Sequence, residues 1–366
     1  MIGWPPAHVR LLLRSSALAI LATWGVLTGF ALVGALLDQV DDFGQGDYGL
    51  AQALLVLLLQ VPRRLYENFP MAAVIGTVLA LGGHAARSEL VALRAAGLSP
   101  LRIATIVLAF VALLCLPLMA AREWAVPGLE MQGQAIKLGA MQREVALAGG
   151  GVVWAREGNE VFQARGGQRR VVEGRSVLVF DDVRVYAFDP QGRLLWLQQA
   201  ESAEYRQGEG WTLREVRRTR FHGRSASLEV EPVQRWQTAL QPGAIEAGLV
   251  RPDLLSSAAL RVQIEQARRN GLATGAQEDA LWSQWLYPLA TLALVFAAIP
   301  FAFGQRRSGG FGMRLMVGIV FALLARLVQP MLGNLAVAYA LPMLLAHLLP
   351  ILALLAIGVI GLRWRR

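Results

Sequence analysis

Long runs of apolar residues, broken by short charged stretches, dominate both ends of the chain. Ala17 to Leu37 carries no charge. A second run begins near Leu50 and reaches about His84, interrupted by Arg63, Arg64 and Glu67. Ile103 to Ala121 is a third and Leu281 to Phe303 a fourth. Phe311 to about Leu332 is a fifth, with Arg326 inside it, and Leu341 to Leu362 is a sixth. A helix needs about 20 mostly apolar residues to cross a bilayer core, so each run predicts a membrane span.

The middle of the chain has another texture. Residues 122–278 carry frequent, nearly balanced charge and alternate with period two. Val183, Val185 and Ala187 alternate with Arg184, Tyr186 and Phe188, and Ala226, Leu228 and Val230 with Ser227, Glu229 and Glu231. Turn-forming groups separate such stretches: Glu157-Gly158-Asn159, Asp189-Pro190-Gln191-Gly192 and Gln207-Gly208-Glu209-Gly210. Several short strands at this spacing predict a sandwich or jelly roll. Its interior is either an ordinary core or an open slot for acyl chains. A helix over 128–148 is expected to lead out of span three. Pro252-Asp253 is expected to open a polar helix reaching Asn270-Gly271, with Ser256 or Ser257 as internal caps. The predicted fold is an α-helical membrane protein of six transmembrane helices with an inserted all-β, jelly-roll-like domain. Spans one to three fall in 1–121, the β domain and flanking helices in 122–278, and spans four to six in 279–366.

Composition agrees. Of 366 residues, 55% are hydrophobic and only 17% charged, against about 25% charged in ordinary soluble domains. The net charge of +9 matters through its placement. Arg10 and Arg14 precede span one; Arg87, Arg94 and Arg102 separate spans two and three; Arg306, Arg307 and Arg314 separate spans four and five; Arg363, Arg365 and Arg366 end the chain. The loop after span one instead holds Asp38, Asp41, Asp42 and Asp47, and the turn near Gly333 to Ala340 is uncharged. All the short basic loops share one face, which predicts cytoplasmic termini and a periplasmic β domain. No basic patch with interleaved aromatics appears, so a nucleic-acid partner is not expected. The single cysteine, Cys115, lies in an apolar run and reads as structural. The first run is too long for the core of a cleaved signal peptide and is expected to remain a span.

Candidate chemistry is sparse. A phosphate-binding Walker loop needs a lysine after its second glycine, and the only lysine, Lys137, stands in Ile136-Lys137-Leu138. The histidines His8, His84, His222 and His347 lack metal-ligand spacing, and no Gly-x-Ser-x-Gly elbow occurs. No catalytic residue and no cofactor are predicted. The Gly-rich stretch Ser308 to Gly312 reads as a turn. One segment stands out: Arg87 to Gly97 between spans two and three reads as a short helix. Ser88 suits its cap, Glu89 its first turn and Gly97 its end. Ser99-Pro100 suits the start of span three. The short helix either covers the bundle's end or docks into a separate motor protein.

Several blocks in order carry a resemblance: Asp38-Gln39 with Gly44 to Tyr48, Phe69-Pro70-Met71-Ala72-Ala73, Arg87-Ser88-Glu89-Leu90-Val91 with Ala96-Gly97, and Glu123-Trp124 with Pro127. Further along come Trp154 to Asn159, Tyr186-Ala187-Phe188, Pro252 to Ser256, and Phe303-Gly304 with Gly312-Met313-Arg314. Together they resemble the LptF/LptG lipopolysaccharide-export permeases, the LptG branch more closely, over nearly the whole chain. The resemblance implies a Gram-negative inner-membrane exporter. One LptF-like and one LptG-like permease would work with an LptB-like ATPase dimer and an LptC-like bitopic protein, passing lipopolysaccharide to a periplasmic bridge. It makes the Arg87–Gly97 helix the coupling helix, with Glu89 its acidic contact and Arg87, Ser88, Leu90 and Arg94 beside it. Spans one and five match the lateral gate. Lys137 falls where the family has a basic residue facing substrate, with Arg122 one helical stretch below. Arg63 and Arg64, some 20 Å along the helix from Leu50 at 1.5 Å per residue, are further headgroup candidates unless Glu67 neutralises them. Arg326 is expected to snorkel or to pair with the partner subunit. The acidic stretch Asp38 to Asp47 departs from the family, which is basic there. Rival readings are an LptF-type paralogue, another lipid- or lipoprotein-export permease, and a non-transporting membrane receptor or scaffold.

Overall fold

A computed structural model describes residues 7–140, 145–146, 152–157, 159–172, 175–189, 191, 193–206, 210–222, 225–236, 238, 251–269, 273–303, 311–339 and 341–364. They divide into two compact units. One comprises Met1–Val40, Leu57–Leu129 and Glu278–Arg366, and the other Asp41–Val56 and Glu130–Gln277. Arg306, Arg307, Arg365, Arg366 and the stretch Ser308 to Gly310 lie outside the described residues, as do parts of the three expected turns.

Six of the described helices are long and apolar enough to cross a membrane. They contain α1 (Ala7–Leu37), α2 (Leu50–Ala86), α4 (Pro100–Ala120), α7 (Gly275–Ala302), α8 (Phe311–Ala338) and α9 (Met343–Arg363). Short α3 (Glu89–Ala95) links α2 to α4, and α5 (Val126–Ala140) and α6 (Ser257–Arg269) flank the strands. The second run forms one helix, as expected: α2 continues through Arg63, Arg64 and Glu67 and over Pro62 and Pro70. Arg63 and Glu67, one turn apart, pair at 2.7 Å, which removes the charge conflict from within the helix. Ser99 caps α4 by accepting the Arg102 N–H at 3.3 Å, with Pro100 at the first helical position, as expected. Ser256 likewise accepts the Ala259 N–H at 3.2 Å at the start of α6.

Span three was expected to give way to a helix at 128–148. Helical backbone instead continues from α4 through one π-turn, Ala121–Ala125, into α5 at Val126–Ala140, and 141–144 and 147–148 lie outside the described residues. Val126 donates its N–H back to the Ala121 carbonyl, one residue further than in an α-helix. Pro127 has no N–H to offer the Glu123 carbonyl, so the ladder must adjust beside it. Val145–Ala146 is already strand.

The helical unit packs around a cluster that includes Phe69, Val74, Leu81, Val107, Val111, Leu294 and Ile299. Gly76 lets α2 lie directly on α1: a Cβ there would stand 2.5 Å from the Ile20 Cα. Trp24 of α1 donates its indole N–H to the Leu65 carbonyl at 2.9 Å and meets Phe69 edge-on. Tyr287 of α7 stacks on Tyr66 at 4.0 Å and donates its hydroxyl to the Tyr66 carbonyl at 2.8 Å.

The second unit holds one antiparallel sheet. Its strands are β1 (Val145–Ala146), β2 (Val152–Glu157), β3 (Glu160–Val172), β4 (Arg175–Phe188), β5 (Leu194–Arg206), β6 (Gly210–His222) and β7 (Ser225–Trp236). β1 and β2 both pair with β3, and from β3 to β7 each strand pairs with the next in sequence. The inserted domain is therefore all-β, as expected, although β3 to β7 run 12 to 14 residues and are longer than the short strands foreseen. Period two decides the core: Val183, Val185 and Ala187 are buried, with Phe162, Phe180, Trp211 and Leu213. The matching row Leu228 and Val230 is exposed, because β7 is the last strand and nothing among the described residues covers it. Asp189 shapes the β4–β5 turn by accepting the backbone N–H groups of Gln191 and Arg193.

Candidate functional site

A connected polar cluster surrounds α3. At the end of α2, buried His84 points Nδ1 at the Glu89 carboxylate and Nε2 at the Ser15 hydroxyl of α1, 2.6 Å away. Arg87 donates Nε to the other Glu89 oxygen at 2.6 Å. An ionised carboxylate only accepts, so His84 Nδ1 carries a proton. Ser15 has a single hydroxyl hydrogen, for Nε2 or for the α1 carbonyls of Leu11 and Leu12 at 2.9 and 3.1 Å. Donation from Arg87, and then from His84, holds the Glu89 carboxyl well below the usual range, at about 2. One polar chain thus joins α3, the end of α2, and α1.

Ser88 does not cap α3 through its side chain. It sits in the left-handed region at φ 62 and makes no side-chain cap bond; a capping serine needs extended backbone to bring its oxygen to the first-turn amides. The Ser88 carbonyl instead receives Val91 and Ala92. Gly97, at φ 90, closes the helix by donating to Arg94 while Leu98 donates to Leu93, as the sequence foretold. Leu90 is buried, while Val91 and Arg94 face outward.

Of the four basic residues expected to meet a headgroup, Arg63, Arg64 and Arg122 belong to the first unit and Lys137 to the second. Lys137 Nζ stands 2.6 Å from Asp42 and over the Tyr48 ring, while the Asp47 N–H reaches the Ala140 carbonyl, so the acidic stretch folds onto the end of α5. Arg63 is held by Glu67. Arg122 is buried in the π-turn, 6.0 Å from the Tyr66 ring centre. Arg64 Nε is buried without a hydrogen-bond acceptor.

Sequence reasoning missed a cavity of about 970 Å³ between α2, α7, α8 and α9. Arg326 lies in its wall and donates Nη1 to the Glu67 carbonyl at 3.1 Å. Asp279 of α7 binds His347 Nε2 of α9 at 2.9 Å, with its carboxylate against Gly333 of α8. Arg326 was visible as a lone charge in an apolar run. The pairing of Asp279 with His347 had no signal at that sequence separation. Among the described residues no group of histidine, cysteine and carboxylate side chains is placed to hold a metal.

The order of the apolar helices, the inserted sheet and the α3 linker can be set against known proteins. The sequence model of the family described as "Lipopolysaccharide export system permease LptF/LptG" matches residues 10–364. The chain belongs to this family. Among its relatives, the lipopolysaccharide export system permease protein LptG of Haemophilus influenzae is 30% identical over 331 residues, covering 88% of this chain and 89% of that protein. The LptG of Escherichia coli is 29% identical over 326 residues, covering 88% of each. LptF/LptG membership and six apolar helices make the chain a multi-pass membrane permease of lipopolysaccharide export and a transport subunit, not an enzyme.

Proposed function

We propose that this chain is the LptG-like permease of an ATP-driven exporter that takes lipopolysaccharide from the Gram-negative inner membrane and passes it to a periplasmic bridge. Its partners in this reading are an LptF-like permease, an LptB-like ATPase dimer and an LptC-like bitopic protein. The termini and α3 face the cytoplasm and the sheet faces the periplasm. The basic flanks at Arg10, Arg14, Arg87, Arg94, Arg102 and Arg363 support that orientation.

The observation that carries the reading is the Glu89–His84–Ser15 chain. The sequence carries no Walker-type lysine loop, and in this reading force arrives from a separate subunit. A seven-residue helix with outward-facing Val91 and Arg94 offers a docking face, with Leu90 as its inward anchor. Hydrogen bonds from Glu89 through His84 to Ser15 pass a shift of α3 to α1, one of the spans that would line the exit path. Narrowing of an apolar cavity between the two permeases then drives the lipid outward. Apolar burial is non-directional, so lipids of varied acyl pattern fit the same path.

Replacing Glu89 by Ala in the reconstituted complex tests this. The expected result is an assembled complex that still hydrolyses ATP and no longer releases lipopolysaccharide. Unchanged transport would remove the coupling role. Co-purification in detergent that recovers no ATPase would remove the exporter reading itself.

A further inference from the structure

The cavity between α2, α7, α8 and α9 combines an apolar wall with one under-used cation. Leu294, Phe321, Leu324, Val328 and Leu354 form much of its surface. Its volume of about 970 Å³ is at the upper end of small-ligand sites, about 300–1,000 Å³. Three charged side chains line it: Glu67, Asp279 and Arg326. The two carboxylates have their partners, Arg63 Nε at 2.7 Å and His347 Nε2 at 2.9 Å. Arg326 has only the Glu67 backbone carbonyl, and no described carboxylate lies within ion-pair distance of it. Most of its N–H donors are therefore without a protein acceptor. It sits some 18 Å of helix before the end of α8 at Ala338, at 1.5 Å per residue. An arginine at such depth in a span is costly and by default marks a functional site.

We propose that this cavity is a lipid site, in which Arg326 holds the phosphate of an anionic lipid and the apolar wall holds one of its acyl chains. A planar guanidinium offers forked donors that match phosphate oxygens. The site lies wholly within this chain, between spans two, four, five and six. It depends on the membrane-spanning helices and not on coupling through α3. The phosphate has two sources, an exported glycolipid or a bilayer phospholipid such as phosphatidylglycerol.

The test uses the full chain in nanodiscs doped with lipids carrying a photoreactive diazirine on one acyl chain, with labelled residues mapped by mass spectrometry. Three probes are compared: phosphatidylglycerol, lipid A and uncharged diacylglycerol. Labelling of Leu324, Val328 or Leu354 by a phosphorylated probe, several-fold above diacylglycerol, is the expected result in wild-type protein. Arg326→Gln should lower it to the diacylglycerol level and Arg326→Lys should restore part of it. Labelling by lipid A alone assigns the site to the exported glycolipid, by phosphatidylglycerol alone to a structural lipid, and by both to any phosphate-bearing lipid. Equal labelling by diacylglycerol, no labelling of the cavity wall, or indifference to Arg326→Gln overturns the proposal. The wild-type comparison decides even if the variants do not fold.

Discussion

Lys137 Nζ stands 2.6 Å from the Asp42 carboxylate, and both groups are partly open to solvent. The acidic stretch after α1 is thus the counter-charge of the chain's single lysine. Partly exposed pairs contribute about 0–1 kcal/mol. A double-mutant cycle with Asp42→Asn and Lys137→Gln, read from unfolding midpoints in detergent, should give a coupling energy in that range. Asp42→Asn should also increase cross-linking of Lys137 to lipid phosphate groups. A coupling energy well above that range would show the pair to be a structural clamp.

Among the described residues, Glu89 has the most strongly lowered carboxyl outside the spans. Its folded value of about 2 lies below the ordinary 4.5, so the contribution it makes is present above about pH 4.5 and is lost as pH falls toward 2. Hydrogen exchange of the α3 amides, corrected for intrinsic rate, should show constant protection from pH 7 to about 5 and loss below it. Glu89→Gln should lower protection at neutral pH and flatten the pH dependence. Protection in the wild type that falls already between pH 7 and 6 would contradict the assignment to this carboxylate.

Gly76 and Ile20 test the closest helix contact. A Cβ at position 76 would stand 2.5 and 2.7 Å from the Ile20 Cα and N, which are backbone atoms that cannot rotate away. Gly76→Ala should destabilise the protein by about 1–3 kcal/mol through overpacking. Gly83 has nothing within 4 Å of its ideal Cβ. Gly83→Ala should be neutral or stabilising by up to about 1 kcal/mol from helix propensity. Thermal melts in detergent compare the two, and equal shifts would refute the contact.

The sheet supplies a matched pair. Phe180 is fully buried against Phe162 and Trp211, while Leu228 on β7 is 63% exposed. Phe180→Ala should cost about 3–5 kcal/mol and Leu228→Ala within about 0.5 kcal/mol. Limited proteolysis of the β domain reads the difference directly. A large effect at Leu228 would mean that something covers β7.

Elements set by local pattern were legible in the sequence. Apolar length gave the spans, Ser99-Pro100 and Gly97 gave helix boundaries, and period two gave the inward row of β4. Alternation around Leu228 gave the strand and one apolar face, but an apolar face does not say whether a neighbour lies on it. The Arg63–Glu67 pair is an i,i+4 relation and could be read directly. Ser15–His84, Lys137–Asp42 and Asp279–His347 join residues far apart in sequence, and only the packed helices bring them together. The backbone of Ser88 defeated its cap for a related reason: residue type favours capping, but the turn from α2 into α3 demands a left-handed conformation. Pro127 was visible, and the π-turn it accompanies was not, since proline equally well kinks a helix or ends it.

Helix coverage inside the bundle is uneven. The most apolar window of α2 is 67% buried, and those of α1 and α8 only 17%. In lipid, a helix that leaves its neighbours exchanges one apolar surface for another at little net loss. Adhesion of oil to oil therefore cannot fix the position of α1 or α8. Narrow seams of small residues and a few polar rivets must do it: Ser15 to His84 and Trp24 to Leu65 on α1, and Arg326 to Glu67 on α8. Two of the three land within a short stretch of α2, so that stretch acts as a common rail, and α8, with one rivet, is freer to slide than α1, with two.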